Sequence, residues 1–259
     1  MNIFNFIKMS AQPIEGSADA KAMPQTENTE NDNIAEIDHT VPDYESAKVN
    51  QGSEDKVRVH NLIILDESGS MMSIYSPALT GVNETLQTIR GAQDDHPDQK
   101  HFVTLVTFDT GHYNRIYQNT PAEKAIDITE DQYSPCGGTP LYDAMGRSIT
   151  ELRPNIAKGD IVLVTVITDG YENASREYTG EAIKQLVKAM RMKGWVFTYI
   201  GANQDVDAVA ESIAINNRMS FSANDTGTRA MFQKEKMSRK RFFSKIQKGI
   251  ADIESNYFD

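Results

Sequence analysis

Residues 62–70 read Leu-Ile-Ile-Leu-Asp-Glu-Ser-Gly-Ser. The first four are apolar without alternation, the pattern of a strand buried on both faces, and the run stops abruptly at a cluster of carboxylates and hydroxyls. Three further runs share this character: Phe102 to Phe108, Ile161 to Ile167 and Trp195 to Ile200. Between the runs lie segments whose apolar residues recur at helical spacing: Leu79, Val82, Leu86 and Ile89; Leu141, Met145, Ile149 and Leu152; Ile183, Leu186, Val187 and Met190. Each such segment lays one apolar stripe on a neighbouring layer. Buried strands alternating with amphipathic helices predict an α/β fold with a largely parallel sheet covered by helices. A shorter strand around Arg115 to Gln118 is expected to pair with the Phe102 strand as a hairpin through Gly111, and the sheet to end with Met219 to Phe221. Asp205 to Ile213 and Thr226 to Ile253 read as the last helices.

Working outward, the 259-residue chain divides by composition near Val57. Residues 10–56 are rich in Glu, Asp, Asn, Ser, Gln and Pro, show no sustained periodicity, and lack the apolar surface that would offset their ordering entropy. Residues 1–56 are therefore expected to be an acidic, disordered segment, with four lysines against eleven carboxylates, and residues 57–259 one folded domain. The net charge of -11 disfavours nucleic acid and anionic membranes as ligands. With a single cysteine, Cys136, no disulfide within the chain can form, which points weakly to the cytoplasm. No apolar stretch approaches the roughly 20 residues of a membrane-spanning helix. Residues 1–9 are apolar at Ile3, Phe4, Phe6 and Ile7, yet Asn2, Asn5 and Lys8 interrupt them and no basic start precedes them. They make a poor signal peptide, and membrane contact through them is the lesser alternative.

In an open sheet of this kind, ligands bind beyond the carboxyl ends of the strands. Asp66-Glu67-Ser68-Gly69-Ser70 ends the first apolar run, and Thr168-Asp169-Gly170 ends the Ile161 run. Gly137-Gly138-Thr139-Pro140 opens the Leu141 helix, with Thr139 at a natural N-cap and Pro140 at the first helical position. Three loops thus present hydroxyls and carboxylates to one face. Such oxygen ligands, without histidine or thiolate, suit Mg²⁺ first, with Mn²⁺ or Ca²⁺ as substitutes.

The arrangement resembles the metal-ion-dependent adhesion site of the von Willebrand factor A family, in which Asp-x-Ser-x-Ser, a distant Thr and a distant Asp hold one cation. Asp66, Ser68, Ser70, Thr139 and Asp169 match all five positions. The resemblance covers residues 57–259 and implies the family's Rossmann-like open sheet with helices on both faces. Gly137 to Leu141, with Tyr142, Asp143 and Ala144, look most like the bacterial intracellular members, including those linked to tellurite resistance. The family implies a binding module without enzymatic activity: a partner protein's Asp or Glu fills the open coordination position, and the surrounding loops read the rest of its surface. Nothing before Val57 resembles a domain that can be named.

Each fragment also has a plainer reading. Asp66 to Ser70 could be a polar turn, Thr139 a helix cap and Asp169-Gly170 a turn; only their joint placement favours a metal. Cys136 has no lysine or arginine beside it and no clustered histidine, so it reads as an ordinary loop thiol. His60, His101 and His112 are scattered near strand ends and read as structural or solvated. The last helix carries Lys234, Lys236, Arg239, Lys240, Arg241, Lys245 and Lys248 beside an apolar stripe of Phe232, Phe242, Phe243 and Ile246. A docked helix with its charges in water is expected, and a site for the acidic tail or an acidic partner is the alternative. Asn203-Gln204-Asp205 could line the partner surface, or Asn203 could cap a helix.

Among enzymes the nearest competitor is a Mg²⁺-dependent phosphohydrolase of the haloacid dehalogenase-like type. That chemistry needs a second carboxylate two residues after the nucleophile, where this chain has Ser68. The chain also lacks Gly-x-Ser-x-Gly, Gly-x-x-x-x-Gly-Lys and Gly-x-Gly-x-x-Gly signatures. A scaffold with a vestigial metal site is the third reading, and intact residues at all five positions argue against it.

Overall fold

The Leu62 run lies inside β1 (Val57–Asp66) of a computed structural model that describes residues 56–249 and 257–259. The expectations for residues 1–55, and the end of the helix expected to reach Ile253, lie outside the described residues. Among the described residues no helix is long and apolar enough to cross a membrane.

The sheet has six strands: β1, β2 (Gln99–Phe108), β3 (Tyr113–Pro121), β4 (Ile161–Thr168), β5 (Trp195–Gly201) and β6 (Asn217–Ser220). Their order is β3-β2-β1-β4-β5-β6, and every neighbouring pair is parallel except the β2–β3 hairpin. Among the described residues five helices cover it: α1 (Tyr75–Asp95), α2 (Leu141–Leu152), α3 (Gly180–Arg191), α4 (Val206–Ser212) and α5 (Asp225–Gln247).

Why β1 is apolar without alternation is plain from its two neighbours. Val59, Ile63 and Leu65 face one core with α1 and α5, where they meet Val82, Leu86, Phe232 and Phe242. Leu62 and Ile64 face a second core with α2, α3 and α4, where they meet Met145, Ile149, Ile183 and Val187. The helix pair α1 and α5 packs closely: a Cβ added at Gly81 would lie 2.0 Å from the Phe232 ring.

β1 begins five residues before the apolar run because the polar residues there have buried partners. His60 hydrogen-bonds Asn119 (2.9 Å) and Asp160 (3.0 Å). Asn61 Oδ1 accepts a 2.8 Å bond from Arg239, which lies on α5 and is 0% exposed. The same guanidinium donates to Thr165 of β4 (2.9 Å) and to Glu235 (2.8 Å). The last helix therefore corrects one expectation: its phenylalanine stripe is docked, but Arg239 is inside with it. A buried guanidinium needs several acceptors at once, and Asn61, Thr165 and Glu235 supply them.

Candidate functional site

The strand order reverses between β1 and β4, so a crevice forms where the carboxyl ends of those two strands meet. Asp66 is the last residue of β1 and Thr168 the last of β4. Thr168 donates a 2.6 Å bond to Asp66 Oδ2, and the Ser68 amide donates a 2.7 Å bond to Asp66 Oδ1. Both oxygens of Asp66 are thereby held. Tyr133 donates to the Asp66 carbonyl (3.0 Å) and closes the strand end from the side.

From Ser68 a short 3₁₀ helix (Gly69–Ile74) turns the chain back toward the crevice. The Ser68 and Ser70 hydroxyls lie 3.2 Å apart, and Ser70 donates to Asp169 Oδ1 at 2.5 Å. Asp66, Ser68 and Asp169 are buried, while Ser70 is exposed, so the cluster opens to solvent at Ser70. Burial pushes the Asp66 carboxyl up to about 6 against the hydrogen bonds from Thr168 and Ser68, and burial also raises Asp169 against its bond from Ser70.

Thr139 departs from its expected position. α2 starts one residue later than predicted: Pro140 stands at the N-cap, and no side chain of the 139–140 pair caps the helix. The Tyr142 and Asp143 amides are instead met by Glu172 Oε2 (3.0 Å) and Ser175 Oγ (3.1 Å). Thr139 is fixed through its backbone, its amide donating to Asn173 Oδ1 (2.8 Å) and its carbonyl accepting from the Asn173 amide (3.1 Å). A Cβ built on Gly170 would stand 3.6 Å from Ser70 Oγ and 3.8 Å from Thr139 Oγ1, so both hydroxyls border the same space.

The five residues singled out from the sequence thus converge at the β1/β4 crevice. One buried oxygen among them, Asp169 Oδ2, has no hydrogen-bond partner. An unpartnered buried carboxylate oxygen is costly, and a bound cation offsets that cost directly. With three hydroxyls and two carboxylates around it, the donor set fits a hard divalent ion.

Several contributors were not visible in the sequence. Thr168 ends an apolar run and gave no sign that its hydroxyl would hold Asp66. The segment 172–178 was not singled out at all, yet Asp143 accepts from the amides of Arg176, Glu177 and Tyr178, each at 2.8 Å, and so locks it to α2. Asn203 does not cap α4; Asp205 does, accepting from the Ala208 amide at 3.0 Å. The reading of Cys136 and His112 as isolated is also corrected, since both side chains reach Asp109 Oδ2, at 3.0 and 2.9 Å. The β2–β3 hairpin turn sets His112 beside Asp109, and a separate loop brings Cys136 to the same carboxylate across 27 positions of sequence, which no local pattern encodes.

No protein-family profile matches the chain, and no curated protein matches it by sequence. Solved structures do match. The PilB minor pilin from Streptococcus sanguinis superposes with a TM-score of 0.53 at 13% identity, over 77% of this chain and 63% of the pilin. The pilus adhesin SpaC from Lactobacillus rhamnosus GG, in its open conformation, gives 0.51 at 14% identity, over 72% of this chain and 30% of the adhesin. A von Willebrand factor type A protein from Catenulispora acidiphila gives 0.46 at 14% identity, over 71% and 42%. This chain spans less than two thirds of the length of each. At such identities the likeness to the pilin and the adhesin is one of fold: an open, mainly parallel, Rossmann-like α/β sheet with helices on both faces.

Proposed function

We propose that the chain is a metal-dependent protein-binding module of the von Willebrand factor A type. Asp66, Ser68, Ser70, Thr139 and Asp169 would hold Mg²⁺, or Mn²⁺ or Ca²⁺ in its place, and a partner protein would present an Asp or Glu to it. The observation that carries this reading is Asp169 Oδ2, buried without a partner beside a chain of hydroxyls that leads to solvent.

When bound, the cation supplies an electrophilic point for an incoming carboxylate. The residues themselves divide the remaining work. Asp66, with Oδ1 on the Ser68 amide and Oδ2 on Thr168, orients the loop that carries both serines. Asp169 aims the Ser70 hydroxyl by accepting its hydrogen bond. Thr139, fixed by its backbone on Asn173 and released from capping, offers a third neutral hydroxyl. With the three neutral hydroxyls in direct contact and Asp66 and Asp169 acting partly through water, the cation would keep much of its charge, which favours an anionic partner group over water.

A binding role is preferred over catalysis on two grounds. Both oxygens of Asp66 accept hydrogen bonds, which suits an orienting group better than a nucleophile, and Ser68 stands where a phosphohydrolase would need its acid and base. The pilin and the adhesin that share the fold are, by their names, adhesive or pilus proteins, in keeping with protein binding.

The test is co-purification of the full chain beside Asp66→Ala, each in Mg²⁺ and in chelator. Partners retained only by the wild-type chain in Mg²⁺ are expected. A partner that binds equally well in chelator, or to Asp66→Ala, would refute the metal-bridged reading.

A further inference from the structure

We propose that Asp109, His112 and Cys136 form a second metal site, built for a thiophilic cation of the zinc class and chemically distinct from the oxygen site at the β1/β4 crevice. Asp109 follows β2 directly, and His112 precedes β3, so the two flank the hairpin turn. Cys136 arrives from the loop ahead of Thr139. A ring nitrogen of His112, the Cys136 Sγ and an Asp109 carboxylate oxygen all lie within 4.8 Å of one another. One nitrogen, one sulfur and one carboxylate oxygen form a donor set that zinc takes readily, whereas Mg²⁺ and Ca²⁺ prefer oxygen alone.

The fold does not need these three side chains to meet. Asp109 Oδ1 already accepts the amides of Gly111 (2.5 Å) and His112 (2.8 Å), and the Asp109 amide reaches the His112 carbonyl (3.0 Å), which together close the turn. The Cys136 loop is anchored separately, by the Cys136 amide on the Glu67 carbonyl (2.8 Å) and the Gly138 amide on Thr110 Oγ1 (2.6 Å). With both backbones secured elsewhere, the imidazole and the thiol still converge on the remaining oxygen, Asp109 Oδ2.

The geometry suits uptake of an ion. Asp109 is buried and fixed, while His112 and Cys136 are exposed. Zinc bonds of about 2.0 to 2.3 Å in a tetrahedron place ligand atoms roughly 3.3 to 3.8 Å apart. The separations of 2.9 and 3.0 Å to Asp109 Oδ2 therefore need to open by only a few tenths of an ångström, while the His112–Cys136 separation, within 4.8 Å, closes toward the same span. On binding, the Cys136 thiol proton, now directed at Asp109, leaves to solvent, and the Nδ1 proton that His112 directs at the same oxygen is given up to solvent with the ring protonated at Nε2, so that Nδ1 offers its lone pair. Three protein ligands leave a fourth position open, and His112 and Cys136 themselves line a cleft with Glu67, Asn114 and Ser134.

The experiment uses Co²⁺ as a spectroscopic stand-in for Zn²⁺ on the full chain, with excess Mg²⁺ present to occupy the oxygen site. Cys136 is the sole cysteine of the chain, so any sulfur-to-cobalt charge-transfer band reports this site alone. A saturable band is expected that Zn²⁺ abolishes, that Cys136→Ser lacks, and that needs at least tenfold more Co²⁺ in His112→Ala or Asp109→Asn. Asp66→Ala should retain the band, which separates this proposal from the crevice site. In the wild-type chain, Zn²⁺ should slow alkylation of Cys136 at least tenfold, a measurement that needs no variant to fold. The absence of a charge-transfer band, or alkylation at the same rate with and without Zn²⁺, would overturn the proposal.

Discussion

Thr139→Val separates ligand from cap more sharply than any other single change at the crevice. Valine keeps the shape of the side chain and the backbone pairing with Asn173, and deletes only the hydroxyl. Were that hydroxyl a helix cap, its loss would cost about 0.5 to 2 kcal/mol whether or not metal is present. The Glu172 and Ser175 side chains serve the first amides of α2 instead, so in chelator the variant should melt close to wild type. With Mg²⁺ at about 100 times its Kd, a cation that binds only the folded state adds about 2.7 kcal/mol. In a folded region of this size each kcal/mol moves Tm by about 2 to 4 °C, so the wild-type chain should gain about 5 to 11 °C.

Loss of a direct ligand should weaken the cation at least as much as loss of an outer-shell partner, which costs about 10- to 100-fold. At the hundredfold end the same Mg²⁺ concentration only equals the new Kd, and the gain shrinks to about 0.4 kcal/mol, roughly 1 °C. Thermal melts of both proteins across an Mg²⁺ series, and in chelator, give the comparison. A variant that keeps the full Mg²⁺ shift, or one that is already destabilised by a cap's worth in chelator, would show that Thr139 is not a ligand.

The other predictions probe the surroundings of the site and the core. Gly170→Ala places a methyl 3.6 and 3.8 Å from the Ser70 and Thr139 hydroxyls, ordinary contact distances; stability in chelator should hold or rise by about 0.4 to 1 kcal/mol while the Mg²⁺ shift falls, and an unchanged shift would place the ion elsewhere. Arg239→Met strands the buried Glu235 carboxylate and should cost about 3 to 5 kcal/mol in urea melts, part of which Glu235→Gln should restore in the double variant; a cost below about 1 kcal/mol would refute the buried-pair account. His101 is buried with neither ring nitrogen bonded, and burial lowers it to about 3 from 6.5. The folded chain keeps it neutral while the unfolded chain takes up a proton, so stability falls as pH drops from 6.5 toward 3, by up to about 1.4 kcal/mol per unit. His101→Leu should flatten that part of the urea-midpoint profile against pH, and an unaltered slope would assign the acid sensitivity to other groups.

How much of this could be read from the chain depends on what kind of physics places each residue. Strands buried on both faces announce themselves by unbroken apolar runs, and Leu62–Leu65, Phe102–Phe108 and Ile161–Ile167 all lie within observed strands. Once those strands are parallel and the order turns between β1 and β4, the ends of β1 and β4 must be neighbours, so Asp66, which ends β1, and Asp169, which follows β4, could be paired without any side-chain information. Arg239 could not be assigned to the interior, because its acceptors Asn61 and Thr165 lie 178 and 74 residues away and look, in sequence, like blemishes in apolar strands. His112 and Cys136 escaped for a similar reason: a hairpin and a separately anchored loop bring them to one carboxylate.

Thr139 shows where the two kinds of information join. Local pattern makes a threonine ahead of Pro-Leu an N-cap, and a capping hydroxyl accepts hydrogen bonds from helix amides with the same lone pairs that a cation would take. It can serve as a ligand only if something else satisfies those amides. Glu172 and Ser175 do so from a segment that Asp143 of α2 holds in return, through three amide bonds. What leaves the Thr139 hydroxyl free of the helix amides is thus residues 172–178 rather than the motif. A break in that reciprocal lock, such as Asp143→Ala, should draw the hydroxyl back toward the helix and weaken Mg²⁺ binding although none of the five crevice residues has been changed.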